Sequence, residues 1–496
     1  MTQSLNVMKQ LRPFYLIFFI ELWERFGYYG LQAILALYFV KELGMDDAQS
    51  FVTFGAFSAM VYGLVAIGGF IGDKVLGTKR TMTLGAIVLA LGYVLMAAAG
   101  HNITIVYLAL ASIAVGNGLF KANPSSLLGK CYEEGDARLD GAFTMYYMSV
   151  NIGSFISMIL VPIISDHYGW SLSFMTSAVG LFMALAIYAL MRNWVAGYGS
   201  EPDFKPVNKS ALSIVLAGVV VAIFVAAFLL KHLMAAKALL AIVGAGVIAV
   251  LLKEIFAARG AERSKMTVAL ILMVEAIVFF VMYMQMPTSL NFFAIKNVEH
   301  SILGIAVNPV TFQSLNPFWI MLASPVLAYI YNAAGQKKGS GMTMPVKFAL
   351  GMLFTAASFL ILPVAAKFAN DAGIVSSYWM VITYFFQSIG ELLISGLGLA
   401  MIAQLLPSRL HGFAMGAWFL TTSAASVIAG YVAGFASVNA GDVATPLQTL
   451  PVYSHFFETM GLISLAVGLL MVVTAPVLNR MINARDTDED AALATV

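Results

Sequence analysis

Long apolar runs, each bounded by polar or charged residues, recur from one end of the chain to the other, and no other feature limits its fold so tightly. Runs of spanning length lie at about 12–40, 51–72, 81–99, 103–128, 141–166 and 170–191. A polar break from Arg192 to Ser210 follows, and then two runs at about 211–230 and 238–257. Six more close the series, at about 266–292, 317–334, 344–366, 373–405, 410–437 and 453–478. About twenty apolar residues carry a helix across the hydrocarbon core of a bilayer. A spanning backbone must also satisfy its own hydrogen bonds, which a helix does. The expected fold class is an all-α polytopic membrane protein with fourteen transmembrane helices, arranged six, two, six. Composition agrees, since 60% of the 496 residues are hydrophobic and 10% are charged, more apolar surface than a soluble chain of this length can hide.

Basic residues give the orientation. With a cytoplasmic amino terminus, twenty of the 27 lysines and arginines fall in inner segments, from Lys9 and Arg12 through Lys79, Arg80 and Lys130 to Lys337, Lys338, Arg480 and Arg485. Five fall in outer segments, namely Lys41, Lys231, Lys237, Lys296 and Lys367, while Arg25 and Lys121 lie within spans. By the positive-inside rule both termini are cytoplasmic. The first run carries internal charges and no small-residue cleavage site, so it is expected to stay as a membrane helix. The expected division is a bundle at 1–194, a linker with two additional helices at 195–264, a second bundle at 265–480 and a cytoplasmic tail at 481–496. The two middle runs carry no charge in their cores and read as a lipid-facing spacer hairpin. A net charge of +2 is too small to suggest a nucleic-acid partner. Cys131, the one cysteine, permits no internal disulfide and has no companion for a metal site, and no cofactor is implied.

Within the first run stands E-L-W-E-R-F-G-Y-Y-G-L-Q, Glu21 to Gln32. Helical spacing puts Glu21, Glu24, Arg25, Tyr28 and Gln32 on one side, with Leu22, Phe26 and Gly27 elsewhere. A charge at the bilayer centre costs about 2.5–3.5 kcal/mol on insertion scales and normally faces protein or a watery cavity. An internal salt bridge that fastens helices is one reading. Two acids sharing one base leave a carboxylate over, and an unpaired buried carboxylate tends to hold its proton, which favours a proton or substrate site. The fourth run places Lys121 deep in A-V-G-N-G-L-F-K-A-N-P, one turn after Asn117. It reads as an ion pair with the first helix or as a cationic anchor for an anionic ligand group.

F-T-M-Y-Y-M-S-V-N-I-G-S-F places Tyr147 and Asn151 four apart on one face, and Tyr62 is a further phenol among apolar neighbours. In the second half, Glu275 lies mid-run, Gln285 precedes a proline that suggests a break, and Asn316 opens the next run. S-I-G-E-L-L-I-S-G-L-G-L sets Glu391 one turn before Ser395, which suggests a cation contact. Trp418 follows as a cavity cap. The loop G-G-F-I-G-D-K-V-L-G-T-K-R, Gly69 to Arg80, resembles the signature of the major facilitator superfamily, in which it latches the cytoplasmic gate. Asp73 and Arg80 take the gating role on that resemblance. The second half offers only a weak echo, G-Q-K-K-G-S-G near Gly335.

Together these stretches resemble the proton-dependent oligopeptide transporter family, over essentially the whole chain and in the family's order. The resemblance implies the major facilitator fold, a bacterial inner-membrane location and proton-coupled import of di- and tripeptides by alternating access. It implies that Glu21, Glu24 and Arg25 couple protons with Lys121 as neighbour. Arg25, Tyr29 and Lys121 would surround the peptide carboxylate, and Asn151, Asn316 and Glu391 would hold the ammonium. Tyr62, Tyr147 and Trp418 would line the pocket, with Ser395 beside Glu391. The expected partners are small peptides, protons and the lipid bilayer, and the expected state is a monomer. One departure stands out: Gln32 occupies the place of an arginine that many relatives pair with an acid near Met284, and both charges are missing here. A drug/proton antiporter of the same superfamily is the rival reading; it needs no matched charges in the two halves. No metal-ligand cluster, phosphate-cradling loop or nucleophile–base pair points to an enzyme.

Overall fold

The structure, a computed structural model, describes residues 10–133, 135–136, 138–335, 342–437 and 444–484. Lys9, Lys337, Lys338, Arg485, the glycine-rich echo beyond Gly335 and the tail from 485 onward fall outside the described residues.

Helices follow the apolar runs closely. They are Arg12–Lys41 (α1), Asp47–Gly63 (α2), Val65–Phe70 (α3), Thr78–Ala98 (α4), Ile103–Lys130 (α5), Leu139–Tyr168 (α6) and Trp170–Met191 (α7). The two middle helices are Lys209–Lys231 (α8) and Leu233–Ala257 (α9). Then come Gly260–Tyr283 (α10), Asn291–Asn297 (α11), Leu315–Gly335 (α12), Met344–Ala366 (α13), Tyr378–Ile394 (α14), Leu397–Leu405 (α15), His411–Gly434 (α16) and Pro446–Ile482 (α17). A two-residue hairpin, Ser301–Ile302 with Ile305–Ala306, lies between α11 and α12.

Three runs are interrupted, each for a local reason. The second run breaks at Leu64 and resumes as α3, then widens into a π-turn over Ile71–Val75. The break expected at Gln285 is a π-turn over Met286–Leu290, where Pro287 supplies no amide hydrogen and Thr288 leaves helical geometry at φ −115°, ψ −106°. The run expected to be continuous over 373–405 is two helices, α14 and α15, parted at Ser395–Gly396, where a small pair gives the helix little to pack with.

The chain forms two compact units. The first comprises 1–236 together with 310–318. In it α1 packs on α6 and α7, α4 on α5 and α7, and α3 on α5. α6 approaches α1 closely because Gly153 has no side chain; a Cβ there would strike the carbonyl of Leu22. α8 joins this unit by burying Val215 and Val219 against Leu76, Val88, Val115 and Leu119. The second unit comprises 237–309 and 319–496, with α13 set on α14 and α17, and α10 on α16 and α17. Both middle helices are sparingly covered, with about 22% of the α8 span and 6% of the α9 span buried. Their apolar outer faces suit them to lipid.

Candidate functional site

Arg25 is 1% exposed in the middle of α1, and its guanidinium is surrounded by acceptors. Nε lies 3.3 Å from Glu21 Oε1 and donates to Glu24 Oε2, while Nη2 donates to Asn117 Oδ1 on α5 at 3.3 Å. Asn117 is fixed in turn, its amide nitrogen donating to the carbonyl of Val61 at 3.1 Å. The face expected from helical spacing is therefore buried and assembled. Each glutamate still keeps one buried carboxylate oxygen, Glu21 Oε2 and Glu24 Oε1, without a hydrogen bond by distance and angle. Tyr146, one position before the Tyr147 singled out from sequence, stands within hydrogen-bonding reach of Glu21.

Lys121, half-buried on α5, places Nζ 5.1 Å from the centroid of the Tyr62 ring. Among the described residues of the first unit no carboxylate comes within ion-pair distance of it. Glu21, Glu24 and Arg25 are nonetheless near enough to act on its charge. Two carboxylates and two cations thus share one low-dielectric neighbourhood, and their formal charges cancel. Tyr29 packs edge-on against Tyr28 at 5.3 Å and lies close enough to Arg25 to feel its charge. Asn151 is buried and turns its amide nitrogen back to the Tyr147 carbonyl at 2.8 Å, whereas the Tyr147 side chain is 37% exposed. Asn316, expected with the second half, is buried in the segment 310–318 that groups with the first unit. That segment is held there by Gln313, which donates to the Ala33 carbonyl at 3.1 Å.

In the second unit Glu391 is buried on α14 at 7% exposure, and its carbonyl accepts the Ser395 amide at 2.8 Å across the last turn. Trp418 on α16 is buried, meets Phe280 edge-on at 5.8 Å and occupies the space that a Cβ on Gly398 would need. Gln285 donates to the carbonyls of Val281 at 2.9 Å and Ala429 at 3.4 Å and accepts from Ser289, which makes it a strut for the π-turn. Glu275 Oε2 is buried without a hydrogen bond. Gln32 and Met284 are both buried.

The gating residues do not meet each other. Asp73 pairs with Lys130 Nζ at 2.6 Å, and that ammonium also reaches Thr78 and Ser126. Arg80 donates to the carbonyls of Pro202 at 2.9 Å and Lys205 at 2.7 Å. The polar break after α7 is thus a strap across the loop. Ser200 Oγ accepts the Thr78 amide and donates to the Gly72 carbonyl, and Asp203 accepts the Lys79 amide at 3.2 Å. Together they cap the start of α4, whose own cap, Gly77, has no side chain and a φ of +104°. Within the strap, the Lys205 ammonium hydrogen-bonded to Glu201 holds that carboxyl below its ordinary range. Lys130, Ser200 and Asp203 carried no signal in sequence, because their partners lie 57 to 128 positions away.

Apolar spanning helices in two units, with ionisable side chains sealed into the spans, are the features of a membrane transporter. The chain matches the POT family over residues 79–449 and belongs to it. It is 59% identical over 489 residues to dipeptide and tripeptide permease A of Escherichia coli (strain K12), which covers 99% of this chain and 96% of that protein. Among solved structures it is similar to tetrameric PepTSo2, with a TM-score of 0.85 and 40% identity over 95% of this chain and 99% of that one. A second, described under substrate recognition in proton dependent oligopeptide transporters, gives a TM-score of 0.83 and 40% identity, over 94% and 99%. The fold is the major facilitator fold of these transporters.

Proposed function

We propose that this chain is a proton-coupled symporter that imports di- and tripeptides across the bacterial inner membrane by alternating access, and is not an enzyme. The observation that carries the reading is the set Glu21, Glu24, Arg25 and Lys121, electrically balanced, with the first three buried, Lys121 half-buried beside them and an unpaired oxygen on each acid. A proton added to one carboxylate leaves the set with one net positive charge. A peptide carboxylate restores the balance, so in a low dielectric proton and peptide favour each other's binding. The names of the relatives, a dipeptide and tripeptide permease and proton dependent oligopeptide transporters, support the same substrate.

In this reading Lys121, Arg25 and Tyr29 receive the peptide carboxylate, while Asn151, Asn316 and Glu391 receive the ammonium. Tyr62, Tyr147, Ser395 and Trp418 line the space for side chains, and Asp73 and Arg80 belong to the cytoplasmic gate. Each inward proton supplies about 1.4 kcal/mol per pH unit and about 2.3 kcal/mol per 100 mV. One pH unit alone sustains about tenfold accumulation. The functional division follows the bundles 1–194 and 265–480 with the linker 195–264 between them, both termini and the tail 481–496 being cytoplasmic. The transporting unit in this reading is the monomer. Dialanine uptake into proteoliposomes under an imposed pH gradient tests the proposal. Wild type should accumulate the peptide, and Glu21→Gln or Glu24→Gln should remove the dependence on the gradient. Gradient-driven uptake unchanged in both variants would defeat the assignment of the proton site.

A further inference from the structure

Four buried polar atoms on α14 make no hydrogen bond: Thr383 Oγ1, Tyr384 Oη, Gln387 Oε1 and Gln387 Nε2. The three residues are 1%, 0% and 0% exposed. Spaced at 383, 384 and 387 they form one stripe, which Glu391 continues one turn later. Buried polar atoms almost always find partners, and an unpaired set calls for a physical reason. Several other buried hydroxyls of this unit are satisfied within their own helices. Thr355 donates back to the Gly351 carbonyl, Ser358 to Thr355, Thr421 to Ala417 and Ser426 to Thr422. Thr383 leaves that local bond unmade, and Gln387 leaves both ends of its amide unsatisfied.

The surroundings of the stripe suit a helix that moves. Its start is pinned, since Trp319 Nε1 donates to the Val381 carbonyl at 3.0 Å. Its later half bears on α13 through Gly390, where a Cβ would stand 2.8 Å from the Gly351 carbonyl oxygen, and the helix stops at Ser395–Gly396. Two small residues therefore bracket Glu391, one at a bare backbone contact and one at a break. We propose that the Thr383–Tyr384–Gln387 face of α14 is dry in this state and opens to water in another state of the transport cycle. Its unpaired atoms disfavour the closed packing, so the helix is biased toward release, and Gln387 sets the turnover rate without holding the peptide. The inference rests on the transport reading, because it requires a carrier that alternates between states.

Cys131 is the one native cysteine, so a Cys131→Ser background leaves Gln387→Cys as the only thiol. In proteoliposomes, a small charged thiol reagent should label Gln387→Cys about tenfold faster during gradient-driven dialanine uptake than at rest. Equal rates overturn the proposal. Gln387→Met, an apolar residue of similar length, should raise Tm by about 2–4 °C and lower kcat about tenfold with KM unchanged. A lowered Tm overturns the proposal too, because it means that the amide already stabilises this state. The melting measurement needs no substrate. A wild type that moves no dialanine would sink the transport reading, and the melt would still decide this one.

Discussion

Arg25 and Asn117 are joined across two helices, Nη2 of the guanidinium lying 3.3 Å from Oδ1 of the amide. Because the same amide also binds the Val61 carbonyl at 3.1 Å, one side chain ties the charged turn of α1 to α5 and α2. Arg25 is thereby held at a fixed height, with its two glutamates arranged around the remaining donors.

Replacing Asn117 by leucine keeps the branched outline of the side chain, in a bulkier form, and removes both bonds. The Arg25 nitrogen and the Val61 oxygen are then buried unpaired, at about 1–3 kcal/mol each. Thermal unfolding of the detergent-purified protein should register the loss, and Asn117→Gln should recover part of it. An unchanged Tm in Asn117→Leu would show that Arg25 needs no support from α5.

Lys121 stands over Tyr62, so the ring is expected to steady the ammonium by about 0.5–2 kcal/mol. Tyr62→Phe keeps the ring and should leave the peptide KM within about twofold of wild type. Tyr62→Leu should raise it by about 3- to 30-fold. Equal KM values in the two variants would mean that the ring face does not position Lys121.

The cytoplasmic loop offers a contrast between two aspartates. Asp73 and Lys130 form a partly exposed pair, 47% and 32% accessible, and such pairs contribute about 0–1 kcal/mol. Asp203 caps α4 from the strap, and losing a cap costs about 0.5–2 kcal/mol. Asp203→Ala should therefore lower Tm more than Asp73→Asn. The reverse order would show that the strap lies on the loop without holding it.

Close packing at the charged turn gives a further comparison. Gly153→Ala drives a methyl into the Leu22 carbonyl and should lower both expression and Tm, whereas Gly218→Ala on α8 meets nothing within 4 Å. There alanine removes backbone freedom from the unfolded chain and should stabilise by about 0.5–1 kcal/mol. A tolerated Gly153→Ala would mean that α1 and α6 can separate without loss.

The spans and the charged face of α1 were legible because each is local. An apolar run announces its helix, and Glu21, Glu24 and Arg25 meet by helical spacing alone. The partners of the loop were not. Lys130 looked like one more cytoplasmic charge, and the strap from Arg192 to Lys205 looked like a polar break, because their meaning depends on contacts more than fifty residues away. The parting of α14 from α15 was equally hidden, since Ser395–Gly396 sits in an apolar run that reads as continuous. Asn316 shows a further limit: its place in the sequence suggested the second bundle, and its segment packs with the first unit.

The central claim is that opposite charges receive opposite ends of a short peptide, Lys121 and Arg25 the carboxylate and Glu391 the ammonium. Inhibition of labelled dialanine uptake by dialanine, by N-acetyl-dialanine and by dialanine amide tests it most directly. Wild type should reject both modified peptides by at least about tenfold in Ki, a difference of about 1.4 kcal/mol. Lys121→Ala should lose discrimination against the amide alone, and Glu391→Ala against the acetylated peptide alone. Two variants that keep the wild-type preference, or lose it for both compounds alike, would contradict the assignment of the two poles.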